Sequence, residues 1–299
     1  MEVACPVCGA SDHTLYLDGE ENALRLESVG SSRTVLSHGR ILRCLNCGLA
    51  YRSYRPTIEQ LGQFYRAADD EKYEAEMPNR VRTANWHRRI AEKHVPIKGC
   101  LLDIGCASGA FMGIMREAGW RVVGIEPSDS QYLRAKKLLG SDTVIHQSML
   151  ENLQLDEEFD LITLWDVLEH VSDPPQFLRL AASHLKQGGC LIVNVPRIDS
   201  LQARVLGPRW PLLLAEHLGY FSIPSLVACG NAAGLKLVHT QQRPSAFSVD
   251  YVLFRIGQHG IPGTLTVRKL LQPLRLETRC IPVWMGEVCA VFRKEAVIP

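Results

Sequence analysis

The sequence predicts an α/β protein with a doubly wound sheet of seven strands, mostly parallel with the last strand antiparallel, and a small amino-terminal ribbon. Between residues 99 and 245, short apolar runs alternate with amphipathic helical segments. This alternation is typical of a parallel sheet covered by helices on both faces. Two CxxC pairs near the amino terminus indicate the ribbon. The chain has 299 residues and 46% hydrophobic content, which suffices for one such domain and a smaller unit.

The predicted strands are short apolar runs that end at glycine or at polar turn residues. They cover residues 100–104, 121–125, 143–147, 159–165, 190–195, 235–239 and 287–293. Helices are expected between them. Ser128 and Gln131 predict a capping box that opens one helix, Pro174 starts another that ends at Gly188, and a third covers residues 224–233.

Charge and targeting signals exclude several classes of protein. Lys and Arg number 33 and Asp and Glu 32, so the net charge of +1 provides no overall attraction for a phosphate backbone. Nucleic acid is therefore an unlikely partner on this ground. The chain has no apolar run long enough for a membrane span, and its start lacks the basic and apolar regions of a signal peptide. We therefore expect a cytoplasmic protein.

The two CxxC pairs are Cys5 with Cys8, and Cys44 with Cys47; a glycine follows each pair. Two such turns supply four thiolates for a tetrahedral cation, and sulfur ligands favour Zn²⁺. A site with four protein ligands has no open position, so the predicted zinc is structural. Unligated surface thiols and a redox CxxC remain alternatives.

Four segments follow from these patterns. Residues 1–55 are predicted to form a zinc ribbon, and residues 56–98 a helical connector or lid on which Tyr65 and Tyr73 could cover a substrate. Residues 99–245 are predicted to form the Rossmann-like cofactor domain, and residues 246–299 an extension that completes the sheet.

The turn after the first strand of that domain is the expected ligand site, because ligands of open α/β sheets bind at the carboxyl ends of the strands. Gly105 and Gly109 allow a ligand to approach bare backbone. Ala107 breaks the GxGxxG spacing of dinucleotide-binding folds. Asp103 opens the turn with a carboxylate, which favours a ligand that carries positive charge over a diphosphate.

Four motifs of the sequence resemble, in order, those of the class I S-adenosylmethionine-dependent methyltransferases. They are LLDIGCASGAFM, VVGIEPS, FDLITLWDVLEHV and GGCLIVNVP. The resemblance implies that Gly105, Ala107 and Gly109 line the methionine end of the cofactor, with Asp103 supporting the loop. It implies that Glu126 accepts hydrogen bonds from the ribose hydroxyls, since a carboxylate presents two oxygens to a vicinal diol. The predicted cofactor site also includes Pro127, Trp165 and Asp166. Gln147 and Ser148 stand where the family often has an acidic residue for the adenine amine.

Two clusters are candidates for the acid/base chemistry that methyl transfer often needs. Asp166, Glu169 and His170 are expected on one helical turn, where they could bind Mg²⁺; the cluster is similar to the ExxEH cluster of ubiquinone-pathway O-methyltransferases. Glu216 and His217 lie in EHLGYFS, which resembles a motif of sugar C-methyltransferases that act on nucleotide-linked keto-sugars.

The sequence therefore predicts a methyltransferase for a small molecule, with a nucleotide-linked sugar or another polysaccharide or secondary-metabolite precursor as the expected substrate. His217, Glu216 and His170 are the predicted catalytic residues. One alternative is a ubiquinone-type O-methyltransferase that uses Asp166, Glu169 and His170. Another is a zinc ribbon that binds or modifies RNA.

Overall fold

The computed structural model of the chain describes residues 3–19, 38–67, 75–258 and 263–295. Most of the spacer between the two CxxC pairs, Tyr73 of the predicted lid and the last four residues lie outside these ranges. Within the described residues no helix is both long enough and apolar enough to cross a membrane.

The central sheet has seven strands, as the sequence predicts. Its strands are β4 (Cys100–Ile104), β5 (Arg121–Ile125), β6 (Val144–His146), β7 (Phe159–Trp165), β8 (Leu185–Pro196), β10 (Leu235–Gln241) and β13 (Glu287–Lys294), in the spatial order β10-β13-β8-β7-β4-β5-β6. β13 is antiparallel to both of its neighbours, and the remaining pairs are parallel. The carboxyl ends of β4, β5 and β7 therefore lie at one edge, which confirms the predicted topology.

Helices pack against both faces of this sheet. The helices of the described residues, not all of which touch the sheet, are α1 (Ile58–Arg66), α2 (Met77–His94), α3 (Ala110–Glu117), α4 (Asp129–Leu139), α5 (Pro174–Ser183), α6 (Leu201–Leu206), α7 (Ile223–Ala232), α8 (Val249–Gln258) and α9 (Thr264–Leu271). α1 and α2 lie within residues 56–98, the predicted helical connector. Thr57 and Gln60 form a complete capping box at α1, and Ser222 and Ser225 form one at α7.

One predicted capping contact and one predicted helix boundary differ from the structure. The Ser128 hydroxyl accepts a hydrogen bond from the Gln131 N–H, but the reciprocal half of the predicted capping box is not part of this cap. The prediction that the helix starting at Pro174 reaches Gly188 is wrong. α5 ends at Ser183, and β8 begins at Leu185 because this segment already pairs with Phe159 at the start of β7.

The ribbon is a four-stranded sheet that includes a strand from the large domain. β1 (His13–Leu17), β2 (Ile41–Cys44) and β3 (Ala50–Arg52) come from the amino-terminal segment, and β9 (Gly219–Tyr220) follows the fifth strand of the central sheet. One buried apolar cluster contains Tyr51 of the ribbon together with Phe221 and Phe292. The ribbon therefore shares its core with the central sheet.

The carboxyl-terminal segment forms a two-stranded antiparallel sheet that the sequence does not predict. β11 (Ser245–Ser248) and β12 (Cys280–Val283) are antiparallel, although α8 and α9 separate them in the chain. The buried Glu76 carboxylate accepts hydrogen bonds from the Ser248 N–H, at 2.9 Å, and from the Ser248 hydroxyl, at 2.5 Å. These contacts fix the two-stranded sheet over α2, next to the carboxyl edge of the central sheet.

Two helical glycines provide a matched test of the packing between helix and sheet. A Cβ on Gly230 of α7 would lie 2.5 Å from Phe292 Cε1 and 3.1 Å from the Leu235 carbonyl oxygen, whereas one on Gly113 of α3 would lie 3.5 Å from Leu139 Cδ2. We expect Gly230→Ala to lower the free energy of unfolding by about 1–3 kcal/mol through overpacking. Gly113→Ala should raise it by up to about 1 kcal/mol through helix propensity. Urea unfolding followed by circular dichroism measures both, and equal effects of the two variants would contradict this packing.

Candidate active site

The turn after β4 is held open by the carboxylate of Glu126 at the end of β5. Glu126 Oε2 accepts a hydrogen bond from the Ala107 N–H at 2.7 Å, and Oε1 accepts one from the Ser128 N–H at 2.8 Å. Gly105 and Ala107 have φ values of +73° and +46°. A Cβ on Gly105 would lie 2.6 Å from Val167 Cγ2, so close approach and conformation both require glycine there.

Gly109 has a different environment from the other predicted loop residues. It precedes α3 with φ +79°, and a Cβ there would lie 2.8 Å from Leu139 Cδ1 and 3.3 Å from the Ala135 Cβ. It does not line either of the two cavities described below. The contacts indicate that Gly109 allows α3 and α4 to pack closely.

Two adjoining cavities open at the carboxyl edge of the sheet. The larger cavity, about 370 Å³, is lined by Glu126, Pro127 and Ser148 and also by His170 and Glu216. The smaller cavity has a volume of about 230 Å³ and is lined by residues from β4, the turn after it, α2 and the carboxyl-terminal segment. The residues that line both cavities are Arg80, Gly105, Ala107, Trp165, Asp166, Leu214 and His217.

Two buried carboxyl groups line these cavities, Asp103 the smaller one and Glu126 the larger one. Burial raises the pKa of Asp103 to about 7, although the Thr163 hydroxyl, which donates to Asp103 Oδ1 at 2.6 Å, opposes the shift. Burial likewise raises the pKa of Glu126 to about 7, against the two N–H groups that bind it. A bound cation or cationic ligand would favour the ionised forms of both groups.

Asp166 does not share a helical turn with Glu169 and His170 in this site. Its φ is +57°, and only Leu168–His170 form a 3₁₀ turn, so the prediction that the three residues share one helical turn is wrong. The Asn194 side-chain amide donates to Asp166 Oδ1 at 2.7 Å and to Glu287 Oε1 at 3.3 Å. Burial and the nearby Asp166 raise the pKa of Glu287 to about 8.

Glu169 and His170 instead converge with His217, which comes from the segment after β8. One potential ligand atom from each side chain lies within 4.8 Å of the other two. His170 Nδ1 lies 3.1 Å from the Glu216 carbonyl oxygen, and His217 Nδ1 lies 2.9 Å from the Leu212 carbonyl oxygen. Burial lowers the pKa of His170 to about 4, and burial together with His170 lowers that of His217 well below its usual range.

A carbonyl oxygen can only accept a hydrogen bond, so each Nδ1 carries the hydrogen and each Nε2 retains a lone pair. The structure thus brings together the three predicted catalytic residues, His170, Glu216 and His217, which all line the larger cavity. The arrangement can accept a proton or hold a cation.

Sequence analysis missed several residues of the site. His87 of α2 stacks on Trp165 with ring centroids 3.8 Å apart, and burial together with Arg243 lowers its pKa to about 3. Glu287 of β13 lines the smaller cavity. Nothing local in the sequence marks either residue. Glu151, three positions after Ser148, lines the larger cavity, and its Oε2 has no hydrogen-bond partner among the described residues. A wider search after the third strand would have found this carboxylate.

The four cysteines of the ribbon lie together as predicted. Cys5 Sγ is 3.6 Å from Cys47 Sγ, and Cys8 Sγ is 3.5 Å from Cys44 Sγ. All four sulfur atoms are within 4.8 Å of one another. The two glycines that follow the pairs, Gly9 and Gly48, have φ values of +71° and +74°, which a side chain would disfavour.

Comparisons with known proteins bear on the family and the fold of the chain. A family model described as a methyltransferase domain matches residues 73–240. A ubiquinone biosynthesis O-methyltransferase of Bradyrhizobium sp. (strain ORS 278) is 34% identical over 97 residues, which are 31% of this chain and 38% of that protein. A tRNA U34 carboxymethyltransferase of Desulfotalea psychrophila is 36% identical over 155 residues, 47% of this chain and 45% of that protein. The match thus spans less than half the length of these two relatives.

The solved structure of the N-methyltransferase NodS from Bradyrhizobium japonicum WM9, in complex with S-adenosyl-L-homocysteine, has the same fold. It is 18% identical, and the match covers 79% of this chain and 98% of that chain with a TM-score of 0.50.

The raised pKa of Asp103 predicts a pH dependence of stability. Its value of about 7 exceeds the unfolded value of about 4, so this carboxyl stabilises the fold most below pH 4, and that contribution is lost as the pH rises to about 7. In the wild type, this carboxyl should make the free energy of unfolding fall by up to about 1.4 kcal/mol per pH unit between pH 4 and 7, and Asp103→Asn should remove this fall. Urea unfolding across this range is the measurement.

Asp160→Asn is the control, because the contribution of Asp160 to stability has the opposite pH dependence. Burial opposes the shift, but the Cys100 N–H and Lys186 lower the pKa of Asp160, so its stabilising contribution is lost on acidification. If Asp103→Asn keeps the wild-type slope above pH 4, then Asp103 is not the group that titrates.

Proposed function

The chain belongs to the methyltransferase-domain family and is a class I S-adenosylmethionine-dependent methyltransferase, and we propose that its acceptor is a small polar molecule bound beside His170, Glu216 and His217. The observation that carries this proposal is that the imidazoles of His170 and His217 line the same cavity as Glu126, while their Nδ1 atoms lie against carbonyl oxygens and leave Nε2 with a lone pair. His217 is 4% exposed and Glu216 8%. An acceptor must therefore enter the cavity to reach them, which favours a small molecule.

The cofactor is proposed to lie between the turn after β4 and the end of β5. Glu126 uses one lone pair of each oxygen for a backbone N–H and has others left for the two ribose hydroxyls. Gly105 and Ala107 expose backbone to the methionine part, and Asp103 supports the turn from beneath. Pro127, Trp165 and Asp166 complete the walls, and they all line the larger cavity. Glu151 offers an acceptor for the adenine amine.

Methyl transfer to this acceptor is an in-line displacement at the methyl carbon. The acceptor atom forms a bond to the methyl group while the bond from sulfur to methyl breaks and its electron pair stays on sulfur. A hydroxyl or enol acceptor also loses a proton, and Glu216 or a neutral imidazole can take it because these groups face the cavity. A nucleotide-linked keto-sugar stays the prediction of the EHLGYFS motif; the relatives found by comparison carry names with other substrates.

Transfer of tritium from methyl-labelled S-adenosylmethionine tests the function. A cell extract is divided into a small-molecule fraction and a tRNA fraction, and each is incubated with the protein. We expect label in the small-molecule fraction, and a fall of at least about 100-fold for His217→Asn, which removes a group that assists proton transfer. His184→Asn is the control, because His184 lies at the carboxyl end of α5, outside both cavities. Label confined to tRNA would contradict a small-molecule acceptor.

We also propose that Cys5, Cys8, Cys44 and Cys47 bind one structural zinc ion. Sulfurs about 2.3 Å from a tetrahedral zinc lie about 3.8 Å apart, close to the 3.6 Å and 3.5 Å separations of the two sulfur pairs. The same separations are far longer than a disulfide bond of about 2.05 Å. A short ribbon also needs such a link for stability.

Metal analysis of purified variants tests the zinc site. We expect Cys44→Ser to lose one equivalent of zinc relative to the wild type, because three thiolates hold zinc less tightly than four. Cys280→Ser should keep the wild-type content, since Cys280 lies in β12, away from the ribbon. Full zinc content in Cys44→Ser would show that the four sulfurs do not form the site.

A further inference from the structure

Glu169, His170 and His217 form a compact cluster of two imidazoles and one carboxylate, which we call the histidine–carboxylate cluster. It lies where the two cavities meet: Glu169 lines the smaller cavity, His170 lines the larger one, and His217 lines both. The imidazole rings of His170 and His217 have centroids 4.8 Å apart at an angle of 79°. Their faces therefore do not stack, and the two rings meet edge to face.

The orientation of both rings suits metal binding. Metal-ligating histidines usually donate the second ring N–H to a carbonyl or carboxylate, which fixes the ring and leaves the other nitrogen for the ion. His170 and His217 do this through Nδ1, to the carbonyl oxygens of Glu216 and Leu212. Burial keeps both imidazoles neutral, the form that binds a metal.

The carboxylate of Glu169 is an independent sign of a missing partner. Its side chain is 1% exposed, and Oε2 has no hydrogen-bond partner among the described residues. A buried carboxylate oxygen without a partner is costly, so such a group calls for a ligand. The neighbouring charges that act most strongly on Glu169 are Asp166, Glu287 and Glu216, and all three are carboxyl groups.

Other charged groups do not cancel this acidic environment. Arg80 acts on Asp166 and Glu287, and Arg255 acts on His217. Arg52 acts on Glu216. Four carboxyl groups thus face three guanidinium groups around the cluster, and the local balance favours an added cation.

We propose that Glu169, His170 and His217 bind one divalent transition-metal ion, which takes an oxygen of the methyl acceptor as a further ligand. Two imidazole nitrogens with one carboxylate oxygen suit Mn²⁺, Fe²⁺, Co²⁺ or Zn²⁺ better than Mg²⁺ or Ca²⁺, which prefer oxygen ligands. Ligand atoms about 2.1 Å from one ion are at most about 4.2 Å apart, so adjustments of less than about 1 Å close a cluster whose atoms lie within 4.8 Å.

A bound ion would change which group of the protein takes the proton from the methyl acceptor. Because His170 and His217 use Nε2 for the ion, the proton of an ion-bound hydroxyl or enol passes to the Glu216 carboxylate, and the ion makes that proton easier to remove. The position of the acceptor rests on the proposed function above; the metal site itself does not.

Titration of the full-length protein with Mn²⁺, followed by the loss of the free-ion electron paramagnetic resonance signal, tests the site. Mn²⁺ is chosen because thiolate sites select zinc, so the ribbon keeps its own ion. We expect one saturable Mn²⁺ per chain, and pulsed resonance spectra of the wild type with couplings from two imidazole nitrogens. Absence of saturable binding, or a bound ion without imidazole couplings, overturns the proposal without any variant.

Three variants then locate the ion. Glu169→Gln and His217→Asn should each weaken Mn²⁺ binding by at least about 10-fold, since each removes a ligand. Asp166→Asn should bind as the wild type does, because its carboxylate faces Asn194 and Glu287. If Asp166→Asn loses the ion and His217→Asn keeps it, the ion sits on the DxxEH segment and the proposal is wrong.

Binding of S-adenosylhomocysteine, measured by calorimetry on the same samples, separates this proposal from the proposed function. If the protein binds S-adenosylhomocysteine and transfers the methyl group but does not bind Mn²⁺, only the metal-site proposal is contradicted. If it binds Mn²⁺ but not S-adenosylhomocysteine, the proposed function is contradicted and the metal-site proposal stands.

Discussion

The geometry of the whole site depends on the carboxylate of Glu126, which joins two turns that the sheet places side by side. β4 and β5 are adjacent and parallel, so their following turns meet at one edge. Glu126 binds a backbone N–H from each turn, at Ala107 and at Ser128, and these two bonds offset part of the cost of burying the charge. Ala107 is thereby held at an unusual positive φ, and the turn stays open toward the cavity.

The ribbon fixes the position of the segment that carries Glu216 and His217. β3 of the ribbon pairs with β9, directly after the segment that carries Glu216 and His217. The buried Arg52 side chain donates to the Ala215 carbonyl oxygen at 2.5 Å, and the Ser222 hydroxyl donates to the Cys47 carbonyl oxygen at 2.9 Å. Both ends of residues 215–222 are therefore bound to the unit that contains the four clustered cysteines. The zinc ion proposed above would give this unit a rigidity that a loop alone lacks.

The sequence predicted what local patterns control. β4, β5 and β7 have the predicted bounds because apolar runs end at turn residues there, and the CxxC spacing predicted four converging sulfurs. Contacts between distant segments were not predictable in this way. Glu169 and His217 are 48 positions apart, and their approach depends on the Leu218 N–H, which donates to the Glu169 carbonyl oxygen at 2.7 Å. Glu287 enters the site only because β13 lies beside β8. The positive φ of Asp166, which removes it from the 3₁₀ turn, likewise has no signature in the residue pattern.

A crystal structure with S-adenosylhomocysteine tests this account most directly. It should show both ribose hydroxyls within hydrogen-bond distance of Glu126, while Glu126 keeps its bonds to Ala107 and Ser128. The sulfur atom should lie where the two cavities meet and face His217. A nucleoside bound away from Glu126, or a sulfur atom that faces away from the segment with Glu216 and His217, would contradict it.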